Sequence, residues 1–313
     1  MPSSPTPIII DTDPGHDDAL ALLLAFQSPE LRVLGVTSVA GNQTLDKTTL
    51  NARRILTIGR IRDVPIAAGM ARPLVRELHT APNIHGESGL DGYDFAPPEV
   101  DVVPEHAVDL IVRTVNQSSE PITLVPVGPL TNIALAFLRA PEITKNIARI
   151  VLMGGAVDLG NVTPSAEFNI YVDPEAAQIV FDAGVPITMV GLDVTRRARL
   201  HADERERIRG FGSEVGTMID ALMDFYTSTE ARRDPSEGPP IHDALAVAAV
   251  IRPELLETRH VNVVVETTGI YTAGRTVCDL RGTTGRAANA DVALGVDRAG
   301  FMKLLLDRLA QYR

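Results

Sequence analysis

The chain has no tryptophan and only one cysteine, Cys278, in 313 residues. A lone cysteine excludes an internal disulfide, so the fold must be held by burial and hydrogen bonding. Basic charge is also in short supply. Lys plus Arg total 29 against 40 for Asp plus Glu, a formal net charge of −11, and the basic residues gather into no long run. Binding to nucleic acid through its phosphates is therefore not expected. No charged-apolar signal segment and no apolar span of 18 residues is present, so the expectation is a cytoplasmic protein with no membrane association. Internal repeats and low-complexity linkers are missing as well. With 45% hydrophobic residues, the chain can bury a substantial core, and residues 1–313 read as one domain preceded by a short frayed tail at 1–7.

What the chain does have is a crowd of carboxylates near its start. Asp11, Asp13, Asp17 and Asp18 fall within Asp11-Thr12-Asp13-Pro14-Gly15-His16-Asp17-Asp18, between an apolar strand-like run and an apolar helix-like run. Like charges held this close oppose one another's ionisation, so the cluster must shift its pKa values or bind a neutralising cation. All-oxygen donors suit a hard ion such as Ca²⁺ or Mg²⁺. An EF-hand is excluded: counted from Asp11, it would need Gly and Glu where the chain has His16 and Leu22. The Asp-x-Asp pair is also found in haloacid-dehalogenase-type phosphatases. Gly15 stands where that family expects Thr or Val, and no convincing downstream lysine and acidic motif follows.

Short β-rich runs at 8–10, 33–39, 122–126, 150–153 and 187–190 alternate with helical patterns at 18–26, 44–58 and 105–115. This alternation predicts an α/β fold with a mostly parallel central sheet flanked by helices. Further helices are expected at 202–209, 215–227 and 242–251, a β-hairpin turning at Thr267-Thr268, and a last helix over 293–309. Two long stretches, 69–104 and 154–169, carry little periodicity and read as functional loops. In a doubly wound sheet, ligands sit beyond the carboxyl ends of the strands. The opening motif lies at such an end, as do Gly41-Asn42, Val127 to Asn132 and Gly154-Gly155. Asn161, Glu167 and Asn169 add directional hydrogen-bonding groups suited to a hydroxyl-rich ligand. His242-Asp243 places an imidazole and a carboxylate at the start of an apolar helix.

These residues resemble the inosine-uridine-preferring nucleoside hydrolase family. The Asp-x-Asp-Pro-Gly-x-Asp-Asp signature stands at Asp11 to Asp18, and the resemblance continues in order through Gly41-Asn42, Asn83 to Gly86, Gly128 to Asn132, Met153 to Gly155, Asn161 to Asn169 and Ile241 to Asp243. It implies a Rossmann-like nucleoside hydrolase architecture and cleavage of the N-glycosidic bond of ribonucleosides, with pyrimidine nucleosides, inosine or both as substrates. It further implies one Ca²⁺ held by the side chains of Asp13, Asp18 and Asp243 and by the carbonyl oxygen of Val127.

By the same resemblance, Asp13 is the general base toward a water beside the ion. Asp17, Asn42, Asn161, Glu167 and Asn169 hold the ribose hydroxyls, and Asp11 supports the turn. His85, Tyr226 and His242 face the base, with His242 the acid for the leaving group. The segment 224–240 forms a wall over the base, with Phe225 packed in the core and Glu230 and Arg233 near base edges. Lacking tryptophan, the chain cannot stack a base on indole as purine-specific members do. The family resemblance also suggests a homo-oligomer, often a tetramer. The competing expectation is a noncatalytic nucleoside or sugar sensor built on the same metal site.

Overall fold

The computed structural model describes residues 4–230 and 238–313. The first half of the chain alternates strand and helix: β1 (Thr6–Thr12), α1 (His16–Phe26), β2 (Leu31–Ser38), α2 (Leu45–Ile58), β3 (Ile66–Ala68), the short α3 (Pro82–His85), α4 (Ala107–Gln117), β4 (Ile122–Pro126), α5 (Thr131–Arg139) and β5 (Ile147–Met153). The second half continues with α6 (Phe168–Val172), α7 (Pro174–Phe181), β6 (Ile187–Val190), α8 (Leu192–Thr195), α9 (Ala202–Arg209), α10 (Glu214–Glu230) and α11 (His242–Ile251). It ends with β7 (Leu256–Val261), β8 (Val263–Val265), β9 (Thr276–Cys278), β10 (Ala290–Val296) and α12 (Arg298–Leu309).

The main sheet has eight strands in the order β3-β2-β1-β4-β5-β6-β10-β7. Every pairing is parallel except the last, where β7 runs antiparallel to β10. The predicted parallel architecture is therefore present. From β1 the chain winds outward through β2 and β3, then returns to place β4, β5 and β6 on the other side. The break between β1 and β4 is a topological switch point, where a crevice opens beyond the strand ends.

Strand β1 shows why the sheet is covered on both faces. Ile8, Ile9 and Ile10 are all fully buried; Ile8 and Ile10 join one core cluster and Ile9 the other. The first cluster packs against α1, α2, α10, α11 and α12, and the second against α4, α5 and α7. Helix α1 is buried along nearly its whole length. Its four leucines, Leu20, Leu22, Leu23 and Leu24, have no exposed surface, and each contributes roughly 1.5–3 kcal/mol by burial. That anchoring fixes the first turn of α1, where Asp17 and Asp18 lie.

Three expectations need correction. The tail is shorter than 1–7, because Thr6 and Pro7 open β1 opposite Leu31 and Arg32; a proline lacking N–H is tolerated at a strand's start. The late hairpin is real, with Val263 opposite Cys278 and Val265 opposite Thr276, but it does not turn tightly at Thr267-Thr268. The Glu266 carboxylate accepts the N–H groups of Thr268 at 2.8 Å and Gly269 at 3.0 Å, coiling residues 266–275 into a wide loop. Lastly, Ala293 belongs to β10. The final helix starts at Arg298, where Asp297 caps it by accepting from the Gly300 N–H at 3.0 Å.

Candidate functional site

A cavity of about 1000 Å³ opens at the carboxyl ends of the central strands. Its floor includes Asp17, Val127 and Asp243, and its walls carry Asn42, His85, Asn161, Glu167, Asn169, Tyr226 and His242. Ten of the twelve residues that the sequence pointed to thus line one cavity. Asp13 and Asp18 do not line it and have no exposed surface.

The turn after β1 holds the acidic groups through main-chain donors. The Asp18 carboxylate accepts the Thr12 hydroxyl on one oxygen, and on the other the Gly15 N–H at 2.9 Å. Asp13 accepts the Asn42 N–H at 2.7 Å through Oδ2. Two glycines make room for it: a Cβ on Gly41 would stand 2.1 Å from Asp13 Oδ2, and one on Gly128 would stand 2.5 Å from Oδ1. Asp17 accepts the main-chain N–H of His242 at 3.2 Å. Oxygens of Asp17, Asp18 and Asp243 come within 4.8 Å of one another, so this trio contains Asp17 where the sequence pointed to Asp13.

Burial, followed by the charge of Asp18, pushes the Asp17 carboxyl up to about 7. Asp13 and Asp243 are raised well above the usual carboxylate range, first by burial and then by their acidic neighbours. Asp13 Oδ1 is buried and has no hydrogen-bond partner among the described residues. An orphaned buried oxygen beside three converging carboxylates is what a cation would repair, and the all-oxygen donor set fits a hard divalent ion. The Val127 carbonyl lies at the same floor and accepts the Asn169 amide at 3.0 Å, leaving its second lone pair for such an ion.

The residues expected to hold hydroxyl groups are themselves held firmly. Asn42 lines the cavity, yet its side-chain amide points to the Asp13 carbonyl at 3.2 Å and to Asp18 at 3.4 Å. Asn161 accepts the Phe168 N–H at 2.9 Å. Glu167 caps α6, accepting from Asn169 at 2.9 Å and Ile170 at 3.1 Å, and also takes the Gly155 N–H at 2.9 Å. Burial pushes its carboxyl up to about 7 against those donors. Asn169 spends its amide on the carbonyls of Val127 and Met153.

At the other end of the cavity, rings are layered. His16 stacks on His85 at 5.2 Å, on Phe225 at 5.3 Å and on Tyr226 at 5.4 Å between centroids. Phe225 thus packs on His16, and Glu230 reaches the cavity lining; Arg233 lies outside the described residues. His242 Nδ1 lies 2.7 Å from the Thr195 hydroxyl at the end of α8.

Asp11 stands apart from the cation cluster. It accepts Thr37 at 2.5 Å and Asn132 at 2.8 Å, and Asn132 also bonds the Ser38 carbonyl at 3.0 Å and the Met70 N–H at 2.9 Å. This network ties β1 to β2 and to α5, so Asp11 braces the turn. Sequence reasoning missed His16 and Thr195. His16 sat inside the signature and could have been singled out; Thr195 carried no signal, since only the packing of α8 brings it to His242.

The profile of the family described as inosine-uridine preferring nucleoside hydrolase matches residues 8–303. A pyrimidine-specific ribonucleoside hydrolase, RihA, of Escherichia coli O9:H4 is 51% identical over 98% of this chain and 99% of its own. The protein of the same name from Salmonella schwarzengrund is also 51% identical over the same shares. Among solved structures, the purine-preferring ribonucleoside hydrolase from Gardnerella vaginalis superposes with a TM-score of 0.92 at 34% identity, covering 97% of this chain and 98% of that one. With its sheet order, its acidic floor and these likenesses over nearly its whole length, the chain belongs to the inosine-uridine preferring nucleoside hydrolase family.

Proposed function

We propose that this nucleoside hydrolase cleaves the N-glycosidic bond of pyrimidine ribonucleosides to give ribose and free base, using one Ca²⁺ held by Asp13, Asp18, Asp243 and the Val127 carbonyl. The observation that carries the reading is the unpartnered Asp13 Oδ1 beside the Asp17–Asp18–Asp243 cluster, directly under a cavity with imidazoles at its far end. The pyrimidine preference is taken from the relatives that bear that name.

Breaking the bond between C1′ and the base nitrogen builds positive charge on the ribose. Carboxylates beneath the sugar stabilise that charge, as in other glycoside hydrolases. When bound, Ca²⁺ supplies neutralisation of the carboxylate cluster and orientation of the attacking water and the ribose diol. Asp13 is the general base that accepts the proton of that water. Asp17, Asn42, Asn161, Glu167 and Asn169 hold the ribose hydroxyls, and their pre-formed main-chain bonds keep them rigid before substrate arrives. His85 and Tyr226 flank the base, and His242, anchored through Nδ1 to Thr195, delivers the proton that the departing base requires.

Ribose release from uridine, cytidine, inosine and adenosine in the presence of Ca²⁺ tests this. Higher kcat/KM for the two pyrimidines, with turnover lost in Asp13→Asn, is the expected result. Tight uridine binding without base release over long incubation would instead identify a noncatalytic nucleoside sensor.

A further inference from the structure

Residues 155–160 lead from β5 toward Asn161 as neither helix nor strand, and two side chains from α8 and its last turn grip them. The Asp193 carboxylate accepts the Val157 N–H at 2.8 Å and the Asp158 N–H at 3.1 Å. The Arg196 guanidinium donates to the next two residues, to the Leu159 carbonyl at 2.9 Å and to the Gly160 carbonyl. Four consecutive residues are thus held by an acceptor and a donor spaced three positions apart, which puts both on one helical face. We infer that Arg196, aided by Asp193, is a positioning residue that sets Asn161 at the ribose before the nucleoside binds. This role deepens the proposed nucleoside hydrolysis and rests on that reading, which assigns Asn161 to the ribose.

The rest of the loop is built to transmit that grip. At its start, Leu192 donates its N–H to the Gly155 carbonyl at 2.9 Å, the Thr276 hydroxyl bonds Ala156, and Arg275 donates to the Val157 carbonyl at 3.2 Å. Leu159 is 58% exposed, so apolar packing does little to hold the far end. Beyond Gly160 the chain folds back on itself: the Asn161 N–H donates to the Ala166 carbonyl at 3.0 Å, and the Asn161 side-chain oxygen accepts from Phe168. Gly160 is pressed so close that a Cβ would stand 2.3 Å from the main-chain nitrogen and oxygen of Ala166. Displacing the Gly160 carbonyl therefore carries Asn161 with it. Arg196 itself lines the cavity, and its charge faces Glu167: burial pushes that carboxyl up to about 7, while the N–H groups of Asn169, Gly155 and Ile170, and then Arg196, oppose the rise. Buried Leu192, Val194 and Thr195 make α8 a firm base.

Arg196 has two other ways to act: direct contact with the nucleoside, and a purely electrostatic effect on Glu167. The geometry favours the clamp. Nη1 and Nη2 each bond one of two successive carbonyls, a task suited to a planar guanidinium fork, whereas a lysine ammonium is a point charge on a flexible stem. An Arg→Lys change therefore keeps the charge and loses the fork, which separates the clamp from the electrostatic effect.

The test is a double-mutant cycle on kcat/KM for uridine in the Ca²⁺-loaded full-length protein, joined to amide hydrogen exchange over residues 157–161. Arg196→Met, which keeps an unbranched stem and removes the fork, is expected to lower kcat/KM by about 10- to 100-fold in the wild-type background, but by less than about twofold in Asn161→Ala. Arg196→Lys is expected to lose nearly as much as Arg196→Met. An unimpaired Arg196→Met, or one that loses as much in Asn161→Ala as in the wild type, overturns the inference; so does full activity in Arg196→Lys, which would leave only the charge at work. In the wild type without substrate, the amides of Val157, Asp158 and Asn161 are expected to be protected from exchange, and Arg196→Met and Asp193→Ala to release them. Free exchange of these amides in the wild type overturns the inference even if the variants fail to fold. Because exchange does not depend on turnover, that outcome is distinct from a failure of every nucleoside to be hydrolysed, which would defeat the functional reading instead.

Discussion

The Asp17 carboxylate accepts the main-chain N–H of His242 at 3.2 Å, across 225 residues of sequence. The bond joins the first turn of α1 to the first turn of α11, so the positive ends of two helix dipoles converge on the same acidic group. Asp18 and Asp243 sit in those same two turns. Helix dipoles thus offset part of the repulsion among carboxylates that burial would otherwise force to stay protonated. They do not remove it: Asp13, Asp17, Asp18 and Asp243 all remain raised. The floor of the cavity is therefore organised in advance and still lacks positive charge.

Metal removal should expose that deficit. Chelation is expected to abolish ribose release, and added Ca²⁺ to restore it. Because a ligand that binds only the folded state stabilises it by mass action, about 2.7 kcal/mol at a hundredfold excess over Kd, the melting temperature should rise with Ca²⁺ concentration. Calorimetric scans across a Ca²⁺ titration measure this; full activity and an unchanged Tm after exhaustive chelation would reject the cation site.

Gly41 gives a more local prediction. A Cβ there would stand 2.1 Å from Asp13 Oδ2 and 2.8 Å from the Pro129 ring, although the residue does not adopt a positive φ. Gly41→Ala should therefore displace the Asp13 carboxylate. The expected stability cost is about 1–3 kcal/mol for overpacking, with a loss in kcat/KM on the order of 10²-fold for misplacing the proposed general base. Urea denaturation read beside steady-state kinetics separates the two effects, and an unimpaired Gly41→Ala enzyme would show that Asp13 need not sit where the structure holds it.

The Thr195 hydroxyl, 2.7 Å from His242 Nδ1, leads to a prediction about leaving groups. If His242 supplies the proton to the departing base, Thr195→Val should slow uridine hydrolysis more than that of p-nitrophenyl riboside, whose leaving group needs no proton. Equal losses on both substrates would assign Thr195 a purely structural part and remove His242 as the acid.

How much of this was legible in the sequence depended on how local each signal was. Ile8 to Ile10, Ile122 to Pro126 and Ile187 to Val190 are runs too apolar for anything but a buried strand, and the parallel sheet followed from them. The acidic signature announced its own chemistry, whereas Asp243, which read alone is explained as a cap on an apolar helix, joined the metal set only through the resemblance to nucleoside hydrolases. The β10 strand was hidden because Ala293 and Leu294 suit a helix equally well; only pairing with β6 and β7 makes them extended. The loop over 266–275 depends on Glu266 bonding to N–H groups two and three residues ahead, a choice that competes with a tight hairpin and leaves no periodic trace. Asn42 and Asn169 were expected to face a sugar, but their amides also brace Asp13 and Val127, a dual use that appears only once distant loops are brought together.

Cys278 supplies a prediction that turns on pH. Its thiol donates to the Thr276 carbonyl at 3.8 Å, and burial, reinforced by the charge of Asp193, pushes it up from 9.0 to about 12. In the unfolded chain the thiol ionises near 9, whereas in the folded chain it keeps its proton to about 12. Between those values the folded state binds more protons, so stability falls as pH rises. The contribution is fully present below pH 9 and lost progressively up to about pH 12. Cys278→Ala removes the linkage without altering the other groups that titrate in alkali. Its stability relative to wild type should be constant from pH 7 to 8.5, then improve by on the order of 1–2 kcal/mol by pH 10.5. Urea unfolding of both proteins at each pH measures the difference, and the native thiol should show no thiolate absorbance at pH 10. A pH-independent difference, or a native thiolate at pH 9, would mean that the Cys278 side chain reaches water as freely in the folded protein as in the unfolded chain.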